Sequence, residues 1–254
     1  MRYPIFATDY DGTLAHHGAV DDATIAALLQ LRESGRQTIM VTGREVEDLQ
    51  TVFSRLDLFD LVVAENGALL YHPKTGKFEP LHAAPPEPFV RSLRKRGVSP
   101  LSVGHVIVAT VEPYDTVILQ VIKEHNLDLQ IIFNKGAVMV LPSGVNKATG
   151  LAAALLQLNA LPENVIGVGD AENDHAFLDF CGCGVAVSNA LPALKEHVDV
   201  VTSRPHGEGV IELINRLVDT NPTIPLPKPR TISKSGNAPS FSKQPDQHIL
   251  AKSE

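Results

Sequence analysis

The run Pro4-Ile5-Phe6-Ala7-Thr8-Asp9-Tyr10-Asp11-Gly12-Thr13-Leu14 decides how the rest of the chain is read. Its first half is a short apolar stretch, the pattern of a buried strand; its second half is a polar turn containing glycine. Asp9 and Asp11 therefore sit at the carboxyl end of a strand, where open α/β sheets place their ligands, and Gly12 lets the chain turn there. Two acids crowded into one mouth invite a divalent cation, because oxygen ligands suit magnesium and neighbouring negative charges repel.

The remaining chain follows the same plan. Helix-start residues Asp21 to Thr24 precede apolar residues at helical spacing (Ile25, Leu28, Leu29, Leu31), and Gly35 suits the end of that helix. Gln37 to Val41 is a second buried strand, closed by Thr42-Gly43-Arg44, so the order is the strand, helix, strand unit of a parallel sheet. A helix from Glu45 to Leu56, a strand over Leu61 to Ala64 ending in Glu65-Asn66-Gly67, and a hairpin through Lys77 to Glu79 come next. The proline cluster at Ala83 to Pro88 opens a compact α+β insert, with helices over Phe89 to Arg96 and Tyr114 to His125 and strands over His105 to Val111, Leu129 to Phe133 and Ala137 to Leu141. After Pro142-Ser143-Gly144 the parallel pattern resumes, with Asn146-Lys147 opening a helix and Val165 to Val168 running into Gly169-Asp170-Ala171-Glu172-Asn173-Asp174. The expected fold is α/β, a Rossmann-like parallel-sheet core of residues 1–80 and 146–218 with a small α+β cap inserted at 81–145. Residues 219–254, rich in Pro, Ser, Lys and Gln, read as a disordered tail.

Composition bounds the function. The chain has 254 residues, 44% of them hydrophobic, enough to bury a substantial core. A formal net charge of −7 argues against nucleic acid or an anionic membrane as partner. No apolar run approaches the ~20 residues that span a bilayer, and the N-terminus lacks a basic-then-apolar leader pattern, so a cytoplasmic protein is expected. Cys181 and Cys183, one glycine apart, read as reduced structural thiols.

Asp9-Tyr10-Asp11-Gly12-Thr13, Val41-Thr42-Gly43-Arg44, Asn146-Lys147 and Gly169 to Asp174 lie in the order and spacing of four family motifs. In them the chain resembles the haloacid dehalogenase (HAD) superfamily of aspartate-nucleophile phosphotransferases, and within it the Cof-type, sugar-phosphatase-like branch, over residues 1 to about 218. The resemblance implies a phosphatase acting on a small phosphorylated metabolite such as a sugar phosphate. By it, Asp9 is the nucleophile and forms an aspartyl phosphate, and Asp11 is the general acid and base. It also implies Mg²⁺ held by Asp9, the main-chain carbonyl of Asp11, and Asp170. Thr42 and Lys147 are expected to act in catalysis and on the phosphate, with Gly43, Asn173 and Asn66 as further substrate-side candidates, and Asp174 as support for Lys147 or the metal's waters.

Other readings of the same residues stay open. A phosphomutase or phosphotransferase carries the same motifs, and a non-catalytic metal or phosphate sensor is a third reading. Thr42 could cap a helix, Lys147 could be a solvated first-turn lysine, and Arg44 and Glu172 read as structural, with Arg44 pairing with Glu45 or Glu47. In the cap, the Arg91, Arg94, Lys95, Arg96 cluster reads as a solvated helix face. The net charge disfavours a highly anionic leaving group unless that cluster faces inward. Asn134-Lys135-Gly136, a hairpin tip, is the cap's candidate for reaching substrate.

Overall fold

The computed structural model describes residues 2–219 together with Leu226, Pro227 and Pro229. The first apolar run forms β1 (Ile5–Thr8), buried along its whole length, and is followed by α1 (Asp22–Glu33), β2 (Gln37–Val41), α2 (Val46–Val52), β3 (Leu61–Ala64) and the hairpin β4 (Leu69–His72) and β5 (Lys77–Pro80). Asp21 caps α1 by accepting from Thr24 N at 2.7 Å. The insert comprises α3 (Glu87–Lys95), β6 (Ser102–Val103), β7 (Val108–Val111), α4 (Asp115–Glu124), β8 (Leu129–Asn134) and β9 (Ala137–Pro142). The chain then returns through α5 (Lys147–Gln157), β10 (Val165–Gly169), α6 (His175–Phe180), β11 (Cys183–Ala186), α7 (Pro192–Lys195), β12 (Val200–Val201) and α8 (His206–Val218).

Eight strands form one sheet in the order β12-β11-β10-β1-β2-β3-β4-β5, parallel from β12 to β3 and antiparallel through the last hairpin. The path steps one way from β1 to β2 and the other way from β10 to β11. With right-handed crossovers, α1 and α6 therefore cover opposite faces. The crevice between β1 and β10 is the topological switch point, the place where such sheets bind ligands. Register fixes what meets there: Thr8 lies opposite Val168 and Met40, and Asp9 N extends the ladder to Val168 O at 3.0 Å.

The insert is a second, four-stranded antiparallel sheet in the order β6-β7-β9-β8. One face is covered by α3 and α4, where Phe89, Leu93, Ile118 and Val121 pack on Val108, Val138 and Val140. The opposite face turns Met139, Leu141, Val106 and Ile107 onto Ala68 of the core and onto Val145, where the insert rejoins it. Arg91, Arg94, Lys95 and Arg96 are exposed on α3, away from the core; Arg91 lies by Glu87 and Arg96 bonds Glu124.

Two expectations change. The strand placed at His105 to Val111 begins only at Val108. Residues 105–107 instead give their three N–H groups, each at 2.7 Å, to the buried carboxylate of Glu65. Most of the 219–254 segment lies outside the described residues, but at its described positions the chain is held on the core. Leu226 is buried, its carbonyl accepts from Arg2 Nη1 at 2.6 Å, and the Pro227 carbonyl accepts from the Tyr3 hydroxyl at 2.7 Å.

Gly67, at φ +104°, is where core and α5 approach most closely: an added Cβ would stand 1.9 Å from Asn146 O. Gly67→Ala combines that overlap with a disfavoured φ, so equilibrium urea unfolding should show a loss on the order of 2–4 kcal/mol. A loss within the scatter of surface substitutions would mean that this approach is not tight.

Candidate active site

Asp9 leaves β1 at the switch point, Asp170 leaves β10 beside it, and Lys147 enters from the first turn of α5. Asn146 N-caps that helix, accepting from Ala148 N and Thr149 N, while Thr149 returns a bond to Asn146 N. Lys147 is 1% exposed, so the solvated first-turn reading does not hold; a buried ammonium needs charged partners. It donates to Asp9 Oδ1 and Asp174 Oδ1, both at 2.6 Å. Asp174 Oδ2 accepts from the N–H groups of Asp170 and Ala171, so the lysine is tied to the loop after β10. Burial pushes the Asp9 carboxyl up to about 7; Lys147 opposes the shift, and Asp174 and Asp170 add to it. Burial works against the Lys147 ammonium too, but its two carboxylates outweigh it and hold the proton more firmly than on a free lysine.

Oxygens of Asp9, Asp170 and Asp174 lie within 4.8 Å of one another. Both Asp174 oxygens are already bonded. The donors left for a cation are Asp9, Asp170 and the Asp11 carbonyl, an all-oxygen set of the kind hard divalent ions take. A positive group already rests there: Lys135 Nζ lies 2.7 Å from Asp170 Oδ2 and 3.5 Å from Asp11 O. The position therefore accommodates a cation. Thr13 adds a hydroxyl bond to Asp170 Oδ1 at 3.3 Å.

The Asp11 side chain is not in that cluster. Arg44 holds it by two bonds, Nε to Oδ2 at 2.6 Å and Nη2 to Oδ1 at 2.8 Å, and reaches Asp48 at 2.5 Å. This corrects the expectation that Arg44 pairs with Glu45 or Glu47. Glu45 instead bonds Ser102 and Glu47 lies by His105, both across the gap to the insert. Thr42 is buried at the end of β2, its hydroxyl oxygen accepting from Arg44 N at 3.2 Å. Asn66 takes left-handed backbone at φ +55° and accepts from Asn173 Nδ2 at 3.0 Å; Asn66 Nδ2 and Asn173 Oδ1 are buried without a partner. A cleft of about 440 Å³ is lined by Asp9, Asp11, Gly43, Arg44 and Lys147 on the core side and by Ile107, Ala109, Ala137 and Met139 on the insert side; Thr42, Asn66 and Asn173 are not among its lining residues.

Sequence reasoning missed Glu65, whose three donors are main-chain groups and so carry no residue-type signal. It also missed Asn189 and His206, which both bond the Gly12 carbonyl at 2.9 Å and steady the loop after β1. Ser188-Asn189-Ala190 ends β11 as the other polar turns end their strands, and that was the available cue.

Comparison with known proteins follows the same outline. The sequence profile of haloacid dehalogenase-like hydrolases matches residues 6–87 and 94–214. A phosphoglycolate phosphatase of Methanothermobacter thermautotrophicus is 31% identical over 218 residues, 84% of this chain and 97% of its own length. A 5-amino-6-(5-phospho-D-ribitylamino)uracil phosphatase of Bacillus subtilis is 21% identical, covering 83% of this chain and 96% of its own. Among solved structures, a haloacid dehalogenase-like hydrolase from Bacteroides thetaiotaomicron superposes with a TM-score of 0.71 at 19% identity, over 85% of this chain and all of the other.

Lys147→Met would leave two buried carboxylates without their cation and should cost about 3–5 kcal/mol near neutral pH. Without the ammonium, which opposes the shift, the folded-state pKa of Asp9 rises further above that of the unfolded chain. Stability is then retained while the Asp9 carboxyl is protonated and lost as pH rises through its raised value. Thermal unfolding should therefore separate variant from parent more at pH 8 than at pH 5. An equal gap at both would show that the carboxylates do not depend on Lys147.

Proposed function

The chain belongs to the haloacid dehalogenase-like hydrolase family, and on that premise we propose that it is a Mg²⁺-dependent phosphatase of a small phosphorylated metabolite, working through an aspartyl phosphate on Asp9. Residues 81–145 act as a cap over a core of 1–80 and 146–218. The observation that carries the reading is the convergence of Asp9, Lys147 and Asp170 at the switch point. The relatives' names, each a phosphatase of a small phosphorylated compound, agree with it.

Asp9 Oδ1 is held by Lys147, which aims the carboxylate and leaves Oδ2 without a protein partner among the described residues. That oxygen attacks phosphorus and the ester oxygen leaves, forming the aspartyl phosphate. Asp11, released from Arg44, gives its proton to the departing alkoxide and then takes one from the water that hydrolyses the acyl phosphate. Thr42 donates its hydroxyl hydrogen to a phosphoryl oxygen, Gly43 lines the approach, and Asn66 offers its unpartnered Nδ2 as a donor, held in place by the bond from Asn173. Lys147 offsets charge on the nucleophile and the transferring group. A divalent ion on Asp9, Asp11 O and Asp170 would supply further charge neutralisation at the phosphoryl oxygens.

Release of inorganic phosphate from p-nitrophenyl phosphate should require Mg²⁺ and stop on chelation. Asp9→Asn should lower kcat by roughly 10⁴-fold or more, as removal of a nucleophile does. Asp11→Asn should accumulate phosphate on Asp9 when the leaving group is good. Transfer of phosphate to a second sugar without net release would replace the phosphatase reading with a mutase. No release from a broad ester panel would end it.

A further inference from the structure

At the tip of the β8–β9 hairpin, Lys135 and Gly136 both take left-handed backbone, φ +49° and +83°, the two-residue turn that joins twisted strands directly. The turn carries Lys135 out of the insert and into the core. Its Nζ contacts Asp170 Oδ2 and Asp11 O, and an added Cβ on Gly12 would stand 2.8 Å from it. Both oxygens belong to the set that can hold a divalent ion. An ammonium and a metal ion cannot share them, because each needs the same lone pairs and the two repel.

We propose that Lys135 gives up this seat to the metal and becomes the cation through which the insert binds the leaving group, so that the substrate is a phosphate ester whose alcohol part carries its own negative charge, a carboxylate or a second phosphate. This rests on the phosphatase reading above. The phosphoryl group is met from the core side by Lys147 and the metal seat, so an ammonium arriving from the insert stands on the leaving-group side. Asn134 and Ala137, which flank the turn, both line the cleft.

Once displaced, the ammonium finds no acid on the insert wall of the cleft. Ile107, Ala109, Ala137 and Met139 are apolar, and Asn134 Oδ1, buried and unpartnered, supplies one neutral acceptor. The acids of the cleft lie on its core side, Asp11 and Asp48 paired with Arg44 and Glu45 accepting from Ser102. At 47% exposure water can solvate the freed ammonium, and with no acid on the insert wall to compete, an anionic group on the substrate is the partner that wall leaves open to it. The sequence expectation made an anionic leaving group depend on the Arg91–Arg96 helix facing inward; that helix is the solvated face it was read as, on the far side of the insert, and under this proposal a single lysine from the hairpin takes the role instead. The net charge of −7 is spread over the whole surface and screened across about 8 Å of physiological salt, so it does not decide a site lined locally.

The experiment pairs wild type with Lys135→Met and Lys135→Arg. Specificity is read as the ratio of kcat/KM for 2-phosphoglycolate, and for ethylene glycol bisphosphate, to that for the neutral 2-hydroxyethyl phosphate. Wild type should favour at least one anionic ester by about tenfold or more, Lys135→Met should bring that ratio to within about twofold of unity, and Lys135→Arg should keep most of it. Whichever anionic ester shows the preference identifies carboxylate or phosphate as the group read. A wild-type ratio near unity, or a preference that survives in Lys135→Met, overturns the proposal. A second readout needs no turnover: calorimetric titration of the substrate-free proteins with Mn²⁺ should give about tenfold tighter binding to Lys135→Met, since metal and lysine compete reciprocally. Equal affinities would overturn the shared seat. If no ester is hydrolysed, the phosphatase reading fails, and this titration still decides whether Lys135 and a metal exclude each other.

Discussion

Lys147 has to remain charged inside the protein, and much of the site's geometry follows from that constraint. A buried ammonium is stable only with carboxylates at contact distance and with those carboxylates themselves held. Asp9 supplies one from the end of β1. Asp174 supplies the other, and its second oxygen is fastened to the main chain of Asp170 and Ala171. One cation thus locks the ends of β1 and β10 to the start of α5. The lysine can reach them only because α5 begins hard against the loop after β3, where Gly67 leaves room for the Asn146 carbonyl and an added Cβ on Gly150 would stand 2.5 Å from Gly67 Cα.

The same loop fixes the second sheet. Glu65, next to Asn66, is buried and points its carboxylate at the N–H groups of 105–107, the segment that leads into β7 and carries Ile107 into the cleft. Three short main-chain bonds to one carboxylate are strong, because hydrogen bonds to a charged acceptor exceed neutral ones and the site is dry. The loop 64–67 therefore serves both units. On one side it seats the helix that brings Lys147, and on the other it holds the insert wall of the cleft.

What could be read from the chain beforehand divides along physical lines. Buried parallel strands announce themselves as apolar runs, and each ends in a polar turn, so β1, β2, β3 and β10 and the residues at their tips were legible. Pairings between distant side chains were not. Nothing in Arg44 or Asp11 alone says that they bond each other rather than a neighbour in sequence, and periodicity is silent on it. Main-chain donors carry no residue signature, which is why Glu65 escaped notice and why His105 to Ile107 read as strand. Lys135 was half visible: glycine at a hairpin tip marks the turn, but the reach of that turn into the core depends on how the two sheets face one another.

The ion pairs of the site also differ in how easily they can change. Lys147 and Asp174 are 1% and 0% exposed in their side chains, so parting them would strand a charge at a cost of about 3–5 kcal/mol. By contrast Asp11, held by Arg44, is 42% exposed, where water can take over and a pair is worth about 0–1 kcal/mol; Lys135 is 47% exposed and can pass to water, but Asp170 beneath it is 4% exposed, so that seat has to be refilled by another cation. Those two are the contacts that the proposed chemistry must break, one to free the acid and the other to free the metal seat. Burial therefore separates the charges by what each has to do. Lys147, which in the proposed mechanism aims the nucleophile, is locked in the interior, and Asp11 and Lys135, which in it exchange partners, sit at the mouth, within reach of water.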